Sequence, residues 1–253
     1  MSLSAHYPCL AHKSVFITGG ATGIGAAMVR AFLLQGAQVA FVDLDNAQAE
    51  KLLNELSEFS AQLWFRCVDV RQLTHLQQAI NAAAEHFAGL SVLINNVAND
   101  KRFDTEHISV DEWQNCLQIN LDPAFFASQA AIPFLKKQGG AIINFSSINA
   151  ITGQPNMAGY VTAKAGLIGL TKALARDYGG YGIRVNAILP GWVATERQLE
   201  SWFTAEEQQR WLETTCIKQF IQPSDVANLA LFLASEQSAL ITGQGINIDA
   251  GRI

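Results

Sequence analysis

The sequence predicts an α/β protein, a doubly wound parallel sheet of about seven strands with helices on both faces. Three observations lead there. Short apolar runs alternate with helical patterns along the whole chain. These runs are rich in Val, Ile and Phe and nearly continuous in hydrophobicity, the pattern of strands covered on both faces. The 253 residues are 49% hydrophobic and 15% charged, which suits one large core and excludes a disordered chain.

Ser14–Thr18 reads as the first strand and Ile24–Gln35 as the helix after it. Gln38–Val42 is the second strand, followed by a helix over Asn46–Phe59. Leu63–Val68 is the third, and Ser91–Asn95 the fourth, after a helix that ends near His86. Ala141–Phe145, Arg184–Leu189 and Ile246–Ile248 complete the sheet. Without repeats, low-complexity stretches or linkers, the chain reads as one domain over 1–253, with a substrate-loop insertion at about 192–215.

Several function classes drop out early. The net charge is −5 and no basic stripe is present, so nucleic acid is not an expected partner. No apolar run approaches the ~20 residues of a membrane span. Met1–Leu10 lacks the layout of a signal peptide, so a cytoplasmic protein with no membrane partner is expected. Cys9, Cys67, Cys116 and Cys216 are scattered and read as reduced, mostly buried thiols. The histidines show no metal-ligand spacing, and no metal site is expected.

The first strand runs into Thr18-Gly19-Gly20-Ala21-Thr22-Gly23-Ile24-Gly25 and then a helix. Glycines at 19, 23 and 25 let the backbone turn sharply and approach a pyrophosphate, which the free N–H groups of the helix N-terminus then hold. Asp43 follows 18 residues after Gly25, at the end of the second strand. A carboxylate there accepts hydrogen bonds from the adenosine ribose and repels a 2′-phosphate, and no Arg or Lys in the glycine loop or at Leu44 offsets it. The expected cofactor is therefore NAD. Asp69, beside Val70, is a candidate adenine contact, and Asn95-Asn96-Val97-Ala98 closes the fourth strand under the cofactor.

Tyr160 and Lys164 stand at i and i+4, on one face of a helix. A tyrosine is ordinarily a poor base at neutral pH, but an ammonium one turn away favours its phenolate. By itself such a pair is ordinary helix surface. It gains weight from Ser146-Ser147 at the end of the fifth strand, Ser147 lying thirteen residues before Tyr160.

In order and spacing, Thr18-Gly19-x-x-x-Gly23-Ile24-Gly25, Asn95-Asn96-x-Ala98, Asn120, Ser147, Tyr160-x-x-x-Lys164 and Pro190-Gly191 resemble the short-chain dehydrogenases, from about residue 10 to residue 251. The resemblance implies a Rossmann fold and a role for each residue. Tyr160 becomes the general acid/base, and Ser147 the holder of the substrate oxygen. Lys164 binds the nicotinamide ribose and lowers the Tyr160 pKa, and Asn120 anchors a water of the proton relay. Pro190, Gly191, Val193 and Thr195 wrap the nicotinamide. Ala98 departs from the family, which usually has Gly there. Homo-oligomers are also implied, dimers or tetramers built partly from the segments around Asn120 and Tyr160, with Gly251-Arg252-Ile253 near an interface.

The loops that set specificity are polar. Asn99, Asp100, Lys101 and Arg102 follow the fourth strand, and Asn149 and Gln154 follow the catalytic serine. Trp192, Arg197 and Gln198 lead into a stretch with Trp202, Phe203 and Trp211. Polar groups beside tryptophans suit a sugar, whose hydroxyls want paired partners while its C–H face packs on a ring. The plainer alternative is that Arg102 and Arg197 make surface ion pairs and the tryptophans are core. Trp113 is expected in the core.

These loops are similar to those of bacterial aldose 1-dehydrogenases of the xylose and galactose type, with Phe103 and Asn149 atypical. The resemblance implies NAD-dependent oxidation of the anomeric carbon of an aldose to a lactone. Another alcohol or carbonyl substrate (polyol, hydroxy acid, 3-oxoacyl or steroid) is the alternative. A non-catalytic NAD-binding protein is the remote one.

Overall fold

The structure, a computed structural model, describes residues 5–201 and 204–253. Seven parallel strands form one sheet in the order β3-β2-β1-β4-β5-β6-β7. They are β1 (Ser14–Thr18), β2 (Gln38–Asp43), β3 (Leu63–Cys67), β4 (Val92–Asn95), β5 (Gly140–Phe145), β6 (Ile183–Pro190) and β7 (Gly245–Ile248). Every predicted strand is present, with ends shifted by a residue or so.

Alternation along β1 sends Val15 and Ile17 into one core and Phe16 into the other, because successive strand side chains point to opposite faces. The first core lies under α1 (Gly23–Leu34). The helical stretch predicted over Asn46–Phe59 is shorter, α2 spanning Asn46–Glu55 before a 3₁₀ segment at Ser57–Gln62. The apolar repeat Ala49, Leu52, Leu56 ends there, and the chain tightens to feed β3. Helix α3 (Leu73–His86) lies on the opposite face. After β4 come α4 (Val110–Asn120) and α5 (Asp122–Leu135), and after β5 a short α6 (Asn149–Thr152) and the long α7 (Ala158–Tyr178). Beyond β6 lie α8 (Glu196–Ser201) and α9 (Ala205–Thr214), in the segment read as an insertion, and then α10 (Pro223–Ala234), which shares the first core with α1.

The expectation of strands covered on both faces holds for the inner strands and fails at the edges. Arg66 and Cys67 of β3, and Gly245 and Asn247 of β7, are exposed, because an edge strand lacks a neighbour to complete its cover. The cysteine reading also needs correction. All four are free thiols, but only Cys116 is buried; Cys67 sits on the edge strand and Cys216 in an exposed turn after α9. Trp113 is half-buried rather than core. Winding reverses between β1 and β4, and at such a switch point the loops leaving the carboxyl ends of the strands diverge and open a crevice.

Candidate active site

The glycine loop is fastened from three sides. Gly19 N–H and Gly20 N–H donate to the Val42 carbonyl, and Ala21 N–H donates to Asp43 Oδ2 at 2.9 Å. Asn96 Nδ2 donates to the carbonyls of Thr18 (3.1 Å) and Gly19 (2.9 Å). Gly19 takes a φ of +70°, and a Cβ on Gly25 would fall 1.8 Å from the Gly19 carbonyl oxygen, so only glycine closes this turn. The Thr22 side chain caps none of the first N–H groups of α1, which leaves that helix end available to an anion.

Beside it opens a cleft of about 670 Å³, lined on this side by Ile24, Asn96, Ala98, Pro190, Gly191, Val193 and Thr195. A Cβ on Gly23, at φ +55°, would meet the Thr195 methyl at 3.2 Å, so the glycine loop and the segment after β6 face each other closely. These residues fit a dinucleotide. Gly19, Thr22, Gly23, Gly25, Asp43, Asp69 and Val70 lie outside the cleft, around the ends of β1, β2 and β3. Arg71 occupies Asp69, donating to both carboxylate oxygens and holding that carboxyl below the usual range.

Ser147, Tyr160 and Lys164 meet in the cleft. The Ser147 hydroxyl faces the Tyr160 phenol and acts to lower its pKa, and it accepts from Asn149 N–H at 3.1 Å. Ser146 instead donates to the Lys164 carbonyl at 2.7 Å, so the two adjacent serines divide their work: one braces α7 and the other serves the site. Lys164 is 1% exposed; its Nζ donates to the Phe145 carbonyl at 2.7 Å and stands 5.6 Å from the centre of the Tyr160 ring. Burial pushes Lys164 down to about 7.

The expectation that Lys164 lowers the Tyr160 pKa is not met, since the phenol is raised. Burial raises the phenol, Asp100 raises it further, and the Ser147 hydrogen bond and Arg197 oppose this. Desolvation disfavours both the phenolate and the ammonium, and it outweighs their mutual attraction at this separation.

Asn120 stands at the end of α4. Its side chain is 3% exposed, accepts from Asn99 N–H at 2.8 Å and donates to the Asn99 carbonyl at 3.0 Å. Asn120 thus pins the loop after β4 where α4 gives way to α5, and its amide is spent on backbone. Asn99 is held by that contact, and its own side chain folds back to accept from Lys101 N–H at 3.0 Å. It does not line the cleft, whereas Asp100, Arg102, Asn149, Gln154, Trp192 and Arg197 do.

Asp100 and Arg197 line the cleft as partners, Nη2 to Oδ1 at 2.7 Å, which matches the plainer reading of a surface ion pair. Gln198 Nε2 donates to Asp100 Oδ2 at 3.0 Å and its Oε1 accepts from Trp192 Nε1 at 2.7 Å. Helix α8 is thereby tied to the loop after β4 over the cleft. Thr204, Glu207, Arg210, Trp211 and Arg252 complete the outer wall. Of these, the sequence marked Trp211 for the substrate stretch and Arg252 only for a subunit interface. Thr204 accepts from Glu207 N–H at 3.2 Å, a helix start visible as Thr-x-x-Glu, but nothing in the sequence marks Arg252 as a residue of this cleft. Trp202 and Phe203 lie outside the described residues.

A family profile described as Enoyl-(Acyl carrier protein) reductase matches residues 19–252. "Probable galactose dehydrogenase GalD" of Rhizobium meliloti (strain 1021) is 42% identical over 250 residues, 98% of each chain. D-xylose 1-dehydrogenase of Caulobacter vibrioides is 40% identical over 249 residues, again 98% of each. A crystal structure described as that of "a putative short-chain alcohol dehydrogenase from Sinorhizobium meliloti 1021" superposes with a TM-score of 0.92 at 31% identity, covering 97% of this chain and 98% of that one. With these relatives, and with serine, tyrosine and lysine gathered at the switch point of the sheet, the chain belongs to the short-chain dehydrogenase/reductase family and is an oxidoreductase acting on CH–OH groups.

Proposed function

We propose that this enzyme oxidises the anomeric carbon of an aldose to a lactone with NAD. One observation carries the reading: Ser147, Tyr160 and Lys164 together line a cleft whose far walls are polar and tryptophan-bearing. That wall suits a polyhydroxylated substrate, and the names of the relatives in Rhizobium and Caulobacter point the same way.

Bound NAD supplies the acceptor for the hydride that leaves C1. The uncapped start of α1 would hold its pyrophosphate, Asp43 its adenosine ribose, and Lys164 its nicotinamide ribose. Asp43 favours NAD over NADP because its carboxylate repels a 2′-phosphate; its oxygens already accept from Ala21 N–H and Asp45 N–H, which fixes the group in position. Asp69 and Val70 would flank the adenine.

The Ser147 hydroxyl holds the C1 oxygen and shares its hydrogen bond with Tyr160. Tyr160 accepts the C1 hydroxyl proton as the C–H bond breaks. Because burial raises the phenol, its conjugate base is scarce at neutral pH, and oxidation is faster in alkali. The loop after β4, pinned by Asn120, keeps Asp100 and Arg102 on the substrate side.

The same reading has the enzyme cytoplasmic and homo-oligomeric, a dimer or tetramer. Val110, 70% exposed on α4, and Phe125, 42% exposed on α5, are apolar surface that a second subunit would cover. No described helix is long and apolar enough to cross a membrane.

The test is reduction of NAD, and separately NADP, across pentoses, hexoses, 6-deoxyhexoses, polyols, hydroxy acids and steroids. Turnover of an aldose group with NAD, abolished in Tyr160→Phe while NAD affinity persists, is the expected result. Silence on every aldose with turnover of another alcohol would overturn the substrate reading.

A further inference from the structure

The charges on the outer wall of the cleft do not balance. Among the described residues, Arg197, Arg210 and Arg252 line it with Asp100 and Glu207 as the carboxylates. Both carboxylates are already engaged, Asp100 with Arg197 at 2.7 Å and Glu207 with Arg210 at 3.1 Å. Arg252 has no carboxylate partner among the described residues. In a chain of net charge −5, this surplus of positive charge is local to the cleft.

Arg252 is held in place. Its guanidinium carbon lies 4.8 Å over the Trp211 ring, and Nη1 donates to the Thr214 hydroxyl. The backbone on either side is clamped by the buried carboxylate of Asp249, whose oxygens accept from Gly251 N–H at 3.0 Å and Ile253 N–H at 3.1 Å. Ala250, just before this tail, lends its carbonyl to Cys216 N–H (2.9 Å) and Ile217 N–H (3.0 Å), which fastens the tail to the chain leaving α9. A guanidinium so fixed has lost much of its rotamer freedom before any ligand arrives, and it keeps donors beyond the one given to Thr214. A guanidinium resting over an indole still has N–H donors to offer, and two of them in parallel are what a carboxylate or phosphate matches.

We infer that the aldose oxidised here carries an anionic group remote from C1, a carboxylate or a phosphate, and that Arg252 is the specificity residue that receives it. This rests on the aldose reading above and narrows it. A neutral hydroxyl could take one donor from the guanidinium but would bring no charge to pair with it. An anion satisfies both.

The experiment compares kcat/KM, with NAD, for three forms of one aldose skeleton: the neutral hexose, its 6-carboxylate and its 6-phosphate. In the wild-type enzyme one anionic form is expected to exceed the neutral sugar by at least ten-fold, and which one does so separates carboxylate from phosphate. Arg252→Gln should cut that anionic-to-neutral ratio at least ten-fold, chiefly through KM, while Arg252→Lys retains part of it. Raising the ionic strength should erode the same ratio. Turnover of the neutral hexose with both anionic forms equal or worse would overturn the inference and leave the aldose reading intact. An unchanged ratio in a folded Arg252→Gln enzyme would remove Arg252 from the role. Silence on all three, with turnover of a non-sugar alcohol, would sink the aldose reading itself and this inference with it.

Discussion

Asp100 and Arg197 join across the mouth of the cleft at 2.7 Å, one from the loop after β4 and the other at the start of α8. Both sides of the pair are partly exposed, so it contributes ~1 kcal/mol or less to stability. Its effect on chemistry is separate, because the two charges act on the Tyr160 phenol with opposite sign. Removing Asp100 removes an influence that raises the phenol and also frees Arg197, which lowers it. Asp100→Asn is therefore expected to move the acid limb of kcat/KM toward lower pH, and Arg197→Gln toward higher pH. The pH–rate profiles of the two variants, read beside an almost unchanged Tm, check this; shifts in the same direction would refute it.

The fold was almost wholly legible because a parallel sheet writes each strand as a short apolar run, and β1 to β7 are such runs. What escaped was tertiary cover. Cys67 looks like a core thiol until β3 is known to be the sheet edge. In the site, Tyr160 and Lys164 were legible as a pair from helical spacing, and Ser147 from its place in the family pattern. Arg252 was not legible. It stands 92 residues after Tyr160 and reaches the cleft only because Asp249 and Ala250 fold the tail against α9. The reversed expectation for Tyr160 has the same origin: a sequence shows that a lysine is one turn away, but not that both groups are buried.

Asp43 does two things at once, ordering the glycine loop through Ala21 N–H and facing the proposed ribose site with its charge. Asp43→Asn keeps a carbonyl acceptor for Ala21 but removes the charge that repels a 2′-phosphate. The ratio of kcat/KM for NAD over NADP is expected to fall at least ten-fold, with Tm nearly unchanged. Asp43→Ala, which also drops the loop contact, should in addition raise the KM for NAD and lower Tm by ~1 kcal/mol equivalent. Equal cofactor ratios in wild type and Asp43→Asn would remove Asp43 from cofactor choice.

Gly191 is where the wall under Arg252 can be broken without touching a charge. A Cβ there would lie 2.8 Å from Trp211 Cη2 and 3.0 Å from the Asp249 Cα, so the indole or the tail must give way. Gly191→Ala is expected to cost ~1–3 kcal/mol, as overpacking of a filled site does. A drop in Tm of several degrees checks the packing. The anionic preference assigned to Arg252 should weaken alongside it, because Trp211 is the ring on which that guanidinium rests.

Lys164 links stability to pH in the direction opposite to a salt-bridged lysine. Its pKa falls from the ordinary 10.5 to about 7 on folding, because burial disfavours the ammonium. Between those values the unfolded chain holds a proton that the native state lacks, so this residue makes stability rise with pH. The slope approaches ~1.4 kcal/mol per pH unit within that window. Below about 7 both states are charged, and the native protein carries the full cost of a buried ammonium. Lys164→Met leaves the Phe145 carbonyl without its donor at every pH but removes the titration. The Tm of the variant minus that of wild type, both free of cofactor, should therefore be highest below pH 7 and fall steadily toward pH 10. Turnover should be lost throughout. A difference that stays flat over that range would mean that Lys164 is not held neutral by burial, and that Tyr160 works beside an ammonium even before the cofactor arrives.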